Sequence, residues 1–148
     1  MVIPSLFDRL TDYDPLNLRE VAPPEREQLR AYKDSVARDL TNLFNTRRSD
    51  TDIPEEYEYV RQSLAAYGVQ DFSTAPMDRD LIRRVIERTV RVFEPRLSRV
   101  KVSVEEGGDF LFWFRISGML RVDVSLEPVV YDAELPKESR RFRVMAGR

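Results

Sequence analysis

The hydrophobic period of the chain changes at Pro95, from about 3.6 residues to 2, and no fold of a single secondary-structure type accommodates both halves. Upstream, "PEREQLRAYKDSVARDLTNLFN" (24–45) carries Leu29, Tyr32, Val36, Leu40, Leu43 and Phe44 as one stripe. Pro24 suits the first turn of such a helix, Glu25 and Glu27 suit its positive pole, and Asn45 is a fair stop. "EEYEYVRQSLAAYG" predicts a shorter helix with Tyr57, Val60, Leu64 and Tyr67 inward and Gly68 as its C-cap. Residues 77–93 predict a third, with Leu81, Ile82, Val85, Ile86, Thr89, Val90 and Phe93 on one face. Its other face places Asp80–Arg84 and Glu87–Arg91 at i,i+4 with the acid first, the favourable order, and leaves Arg83 and Arg88 without such a partner.

Downstream of Pro95, Val100, Val102 and Val104 alternate with polar residues. "EGGD" turns the chain, and Phe110, Phe112, Phe114 and Ile116 line one face of a second strand. Leu111 and Trp113 make its other face apolar as well, which predicts a central position. Alternation resumes from Leu120 to Leu126 and breaks at Pro128, and "VVYDAE" and "RRFRV" read as a closing hairpin. The expected fold class is α+β: an N-terminal arm, three helices, then an antiparallel sheet of about four strands. The arm is residues 1–23, set apart by prolines, and residues 24–148 form one domain. Within the arm, "PSLFDRLT" would present Leu6, Phe7 and Leu10 as anchors, on the chain's own domain or on a partner, with self-docking slightly favoured.

The composition removes whole classes of chemistry. The 148 residues include no cysteine and no histidine, which excludes disulfides, thiol nucleophiles, imidazole bases and zinc-finger sites. No glycine-rich loop cradles phosphate, and "DTD" (50–52) is too short an acidic run for a calcium loop, so no cofactor and no metal are expected. Residues 1–78 hold 15 acids against 9 bases, and residues 79–148 hold 11 against 15, too interleaved for a nucleic-acid surface. Arg outnumbers Lys by 21 to 3, a bias that suits bidentate pairs at protein interfaces. No apolar run is long enough to span a bilayer, and "MVIPSLFDRLTDYD" lacks the apolar stretch of a secretory signal, so the expectation is a cytoplasmic protein without membrane insertion.

Glu94, Pro95 and Arg96 stand where the two periods meet. A carboxylate at a helix C-terminus faces the negative pole of the dipole, at a cost of roughly 0.3–1 kcal/mol. One reading is a hydrolase: Glu94 as a general acid with Glu105, Glu106 or Asp109 as partner, in the manner of a lysozyme-like glycosidase. Arg96 argues against it, because a nearby guanidinium lowers a carboxylate pKa, the wrong direction for an acid catalyst. A second reading is a helix stop with a local ion pair. A third is a recognition corner, since Pro95 fixes its own φ and restricts Glu94, so that opposite charges leave a rigid backbone at low entropic cost. The closing strand "RRFRV" reads as a sheet edge. Its Arg140, Arg141 and Arg143 would discourage indiscriminate pairing, while its edge amides could accept one specific partner strand.

Five stretches follow one another in a familiar order: "PSLFDRLTD" (4–12), "SVARDLTNLFNTRR" (35–48), "AYGVQDFS" (66–73), "FEPRL" (93–97) and "FRISGMLRV" (114–122). Together they resemble the TssE family of bacterial type VI secretion systems, within the lysozyme-like baseplate wedge proteins of contractile phage tails. The resemblance implies a structural subunit and not an enzyme. It implies a cytoplasmic position at the baseplate near the inner membrane, beside the wedge proteins TssF, TssG and TssK. It further implies a platform for polymerisation of the TssB–TssC sheath, whose strand-exchanging domain the sheet is similar to. The family's docking signature maps to Glu94, Pro95 and Arg96.

Overall fold

The computed structural model describes residue 10 and residues 24–48, 53–54, 56–70, 79–107, 110–136, 138–139 and 141–147. Among the described elements, three helices precede a four-stranded antiparallel sheet, the α+β arrangement the period change implies. The helices are α1 (Glu25–Asn45), α2 (Glu58–Arg61) and α3 (Arg79–Phe93), with a 3-10 turn at Leu64–Ala66 after α2. The strands are β1 (Leu97–Gly107), β2 (Phe110–Val122), β3 (Ser125–Pro136) and β4 (Arg143–Ala146), in the spatial order β1-β2-β3-β4.

One core lies between the helices and one face of the sheet. α1 contributes Val36, Leu40, Leu43 and Phe44, and α3 contributes Ile82, Ile86 and Val90. The sheet contributes alternate residues, Val100 and Val102, Phe114 and Ile116, then Val129, Tyr131, Ala133 and Leu135. β2 is central, between β1 and β3. Leu81, expected on the core stripe of α3, is exposed.

The segment after α1 departs furthest from the sequence reading. Its helix stops at Arg61, and Tyr57, Val60 and Leu64 point to solvent, Leu64 with 86% of its surface exposed. Ser63 caps the following 3-10 turn by accepting from the Ala65 amide, a local bond that competes with continuing an α-helix. Gly68 then adopts φ +107, and a Cβ there would lie 2.3 Å from the Thr46 carbonyl oxygen. This close approach lets the Val69 amide donate to Thr46 O at 2.9 Å and the Arg48 amide to Val69 O at 2.9 Å.

Two further expectations are corrected. The run from Leu120 to Leu126 is not one strand but the closing end of a hairpin: β2 ends at Val122, Asp123 turns at φ +53, and β3 starts at Ser125. Pro128 lies inside β3, opposite Met119. On α3, Glu87–Arg91 forms as expected at 2.6 Å, but Arg84 Nε donates to the main-chain oxygen of Asp80 while the Asp80 carboxylate lies 3.5 Å from Arg83.

Both outer edges of the sheet are engaged by helix side chains. At β4, the Phe142 amide just before the strand donates to Asn45 Oδ1 at 2.9 Å, and the Val144 amide within it donates to Thr41 Oγ1 at 3.2 Å. Asn45 Nδ2 returns a bond to Phe142 O at 2.9 Å. The amides expected to be open at "RRFRV" are therefore satisfied from α1, although Arg141 and Arg143 are exposed as expected. On β1 the Val102 amide donates to Glu87 Oε2 at 3.3 Å, and Arg91 Nη2 donates to Val100 O at 3.0 Å.

Candidate docking site at the helix–strand joint

α3 ends because Pro95 has no amide to continue the ladder. The Glu94 amide still donates to Val90 O at 2.9 Å, and the Leu97 amide donates back to Glu94 O at 3.1 Å, so the chain turns within Glu94–Leu97 and enters β1. A bulge follows between Ser98 and Lys101, with Arg99 at φ +52. The Arg121 amide, on β2, donates to Arg96 O at 2.9 Å and ties the turn to the sheet.

Glu94 is 3% exposed, unusual for a carboxylate, and the joint supplies its partners. Arg96 grips it in a two-pronged pair, Nε to Oε1 at 2.6 Å and Nη2 to Oε2 at 2.5 Å. The Arg96 amide adds a bond to Oε1 at 3.2 Å. The charge at the negative pole of α3 is thus compensated within the chain and needs no neighbouring protein.

Arg96 also reaches α1. Nη2 donates to Asp39 Oδ2 at 2.6 Å and Nη1 to Ser35 Oγ at 3.2 Å, while the guanidinium lies 5.8 Å from the centre of the Tyr32 ring. Tyr32, Ser35 and Asp39 are spaced three and four apart, so one face of α1 presents all three. Sequence reasoning missed Ser35 and Asp39 because a serine and an aspartate on a long helix read as solvent-facing. Burial by itself would lower the Arg96 pKa, but the hydrogen bonds and charges of Glu94, and then of Asp39, outweigh it and raise it. The guanidinium is permanently charged, and with two carboxylates against it the cluster carries a net charge of −1.

Beside the cluster opens a cavity of about 330 Å³. Leu43, Tyr67, Phe93 and Pro95 form its apolar walls, and Asp39, Glu94 and Arg96 its polar part. Tyr67 and Phe93 meet edge to face, their ring centres 5.3 Å apart. Burial, then the charges of Asp39 and Glu94, raise the Tyr67 pKa.

This geometry is poor for glycoside hydrolysis. Both nearby carboxylates are tied to the same guanidinium, so neither is placed to work on a glycosidic oxygen. The side chains of Glu105, Glu106 and Asp109 lie outside the described residues, as do Leu6 and Phe7. Leu10 is described and 76% exposed. Arg143 is the first residue of β4 and Arg141 lies two residues before it; neither lines the cavity at the joint.

The family model for the baseplate wedge protein gp25 matches residues 30–125. The chain belongs to this baseplate wedge family. The match is consistent with the TssE resemblance, TssE being the type VI homologue of gp25. It takes in Glu94, Pro95 and Arg96 together with their α1 partners Tyr32, Ser35 and Asp39. No curated protein and no solved structure gives a significant match. A gp25-type wedge protein has a structural role in a phage-like baseplate, and this fits a chain without catalytic activity.

Proposed function

We propose that this gp25-type protein is the TssE-like wedge subunit of a type VI secretion baseplate. It works at the cytoplasmic side of the inner membrane, docks on the wedge proteins TssF and TssG with TssK in the same complex, and offers a platform for the TssB–TssC sheath. One observation carries the docking reading: the Glu94–Pro95–Arg96 joint is locked by an internal ion cluster and holds open an apolar-walled cavity beside it. The triplet shapes this corner, and the partner meets its rim, where Tyr67 is only half-buried. Partner strands from the sheath have less room: on β1, among the described residues, no helix side chain bonds the outer edge past Val102, whereas on β4 Thr41 and Asn45 would have to let go.

The test is co-purification with TssF–TssG and TssK, using the wild type and Tyr67→Ser. The substitution changes the cavity wall and leaves the buried Glu94–Arg96 pair intact. Wild type should retain the wedge proteins, and the variant, folded by circular dichroism, should retain about tenfold less, equivalent to about 1.4 kcal/mol. Equal retention moves the docking surface elsewhere, and failure of the wild type to retain any wedge protein overturns the type VI assignment. Clearing of a cell-wall suspension, abolished by Glu94→Gln, would instead establish the glycosidase.

A further inference from the structure

A second cavity, of about 150 Å³, shares Phe93 as a wall with the docking corner. Arg48, Arg61 and Arg88 line it, and among the described residues no acidic one does. They come from three separate elements: Arg48 from the stretch held to Val69 after α1, Arg61 from the last position of α2, and Arg88 from the outer face of α3. Among the described residues none of the three guanidinium groups makes a hydrogen bond or an ion pair. Arg83 and Arg91, on the same helix as Arg88, both do, with Glu87.

Three like charges around one small cavity raise one another's energy, and an anion placed among them removes that cost. The planar fork of each guanidinium suits a carboxylate or a phosphate. The walls separate the two. Ile53, Val85 and Phe93 supply an apolar lining, matched to the methylene stem of an acidic side chain, which a phosphate lacks. A nucleic-acid strand needs a track of cations beyond the cavity, and the neighbouring surface carries Glu58 at the start of α2 and Glu87 on α3 instead.

We propose that this cavity is a socket for a glutamate or aspartate side chain of a partner protein, carried on a segment with apolar flanks. It is distinct from the joint: its charge has the opposite sign, and none of Glu94, Pro95 and Arg96 lines it. A partner that covers both cavities would therefore meet net negative charge at one and three cations at the other.

The test is a nuclear magnetic resonance titration of the full chain, following the arginine Nε–Hε signals. The probe is acetyl-Leu-Glu-Glu-Leu-amide, compared at one ionic strength with its Gln-Gln counterpart, inorganic phosphate and an oligothymidylate. The Glu peptide should move the Arg48, Arg61 and Arg88 signals and bind about tenfold or more tightly than the Gln peptide. Arg61→Gln/Arg88→Gln should weaken it by a similar factor. Equal binding of the two peptides, no movement of the three signals, or tighter binding of phosphate or oligothymidylate would each overturn the assignment. The comparison of peptides on wild-type protein decides the matter even if the double variant does not fold.

Discussion

Replacing Arg96 with alanine removes three side-chain partners at once, Glu94, Asp39 and Ser35, and strands Glu94 where water scarcely reaches it. Breaking a buried pair by removing one partner costs about 3–5 kcal/mol, and that loss is expected for Arg96→Ala in urea unfolding. Arg96→Lys should recover only part of it, because an ammonium cannot reproduce the two-pronged grip. A loss below about 1 kcal/mol would mean that the cluster is no better than a surface pair. An assembly defect in Arg96→Ala therefore cannot be read as loss of a contact until stability has been measured, which is why the cavity wall is the better probe. The sequence made Glu94 and Arg96 visible as a pair because they are two residues apart. It concealed Asp39, which lies 57 residues from Arg96 and comes to it only through the packing of α1. The convergence of Arg48, Arg61 and Arg88 was concealed for the same reason.

At the scale of elements, α1 both fills the core and closes the β4 edge. Asn45→Ala should lose two bonds to Phe142, one as acceptor and one as donor, at about 1 kcal/mol each. Hydrogen exchange should then quicken at the Phe142 amide and remain slow at Val144, which Thr41 still holds. Uniform quickening would show global destabilisation instead of an opened edge. The long periodic elements were legible: the α1 stripe, Ile82 to Val90 on α3, and the alternation of β1 and β2 all pack as their periods imply. The 57–67 segment was not, because four apolar residues at helical spacing satisfy the pattern whether or not a core faces them. Pro128 misled for a different reason. Its missing amide would point away from β2, like the groups of Val130 that bond Gly147, and β4 pairs only with Tyr131 to Glu134. At Pro128 β3 is locally an edge, where a lost donor costs little.

For the whole molecule, the tyrosines around the joint set a limit in alkali. Tyr32, Tyr67 and Tyr131 all have raised pKa values, with burial the largest cause in each; for Tyr131 the Glu94 charge comes next. The unfolded chain thus loses these protons at lower pH than the folded one. Their contribution is intact below about pH 10, the ordinary tyrosine value, and is lost as pH rises through the raised folded-state values. Melting temperature should be level from about pH 7 to 9 on this account and fall beyond about pH 10. A Tm that is unchanged well above that point would contradict the burial of these hydroxyls.

The bonds that close β4 join residues 97 and 103 positions apart in the chain. A ribosome makes α1 early, at roughly 5–20 residues per second, so Thr41 and Asn45 wait several seconds for their partners. During synthesis α1 can meet α3 and β1, but its apolar face has no complete sheet to cover it until Phe142 and Val144 have cleared the exit tunnel. A nascent chain stalled short of that point would present an open helix and a sheet lacking its fourth strand, a form suited to chaperones and proteases and not to assembly. Emergence of Phe142 and Val144 therefore separates a chain whose sheet edge can close from one whose edge cannot.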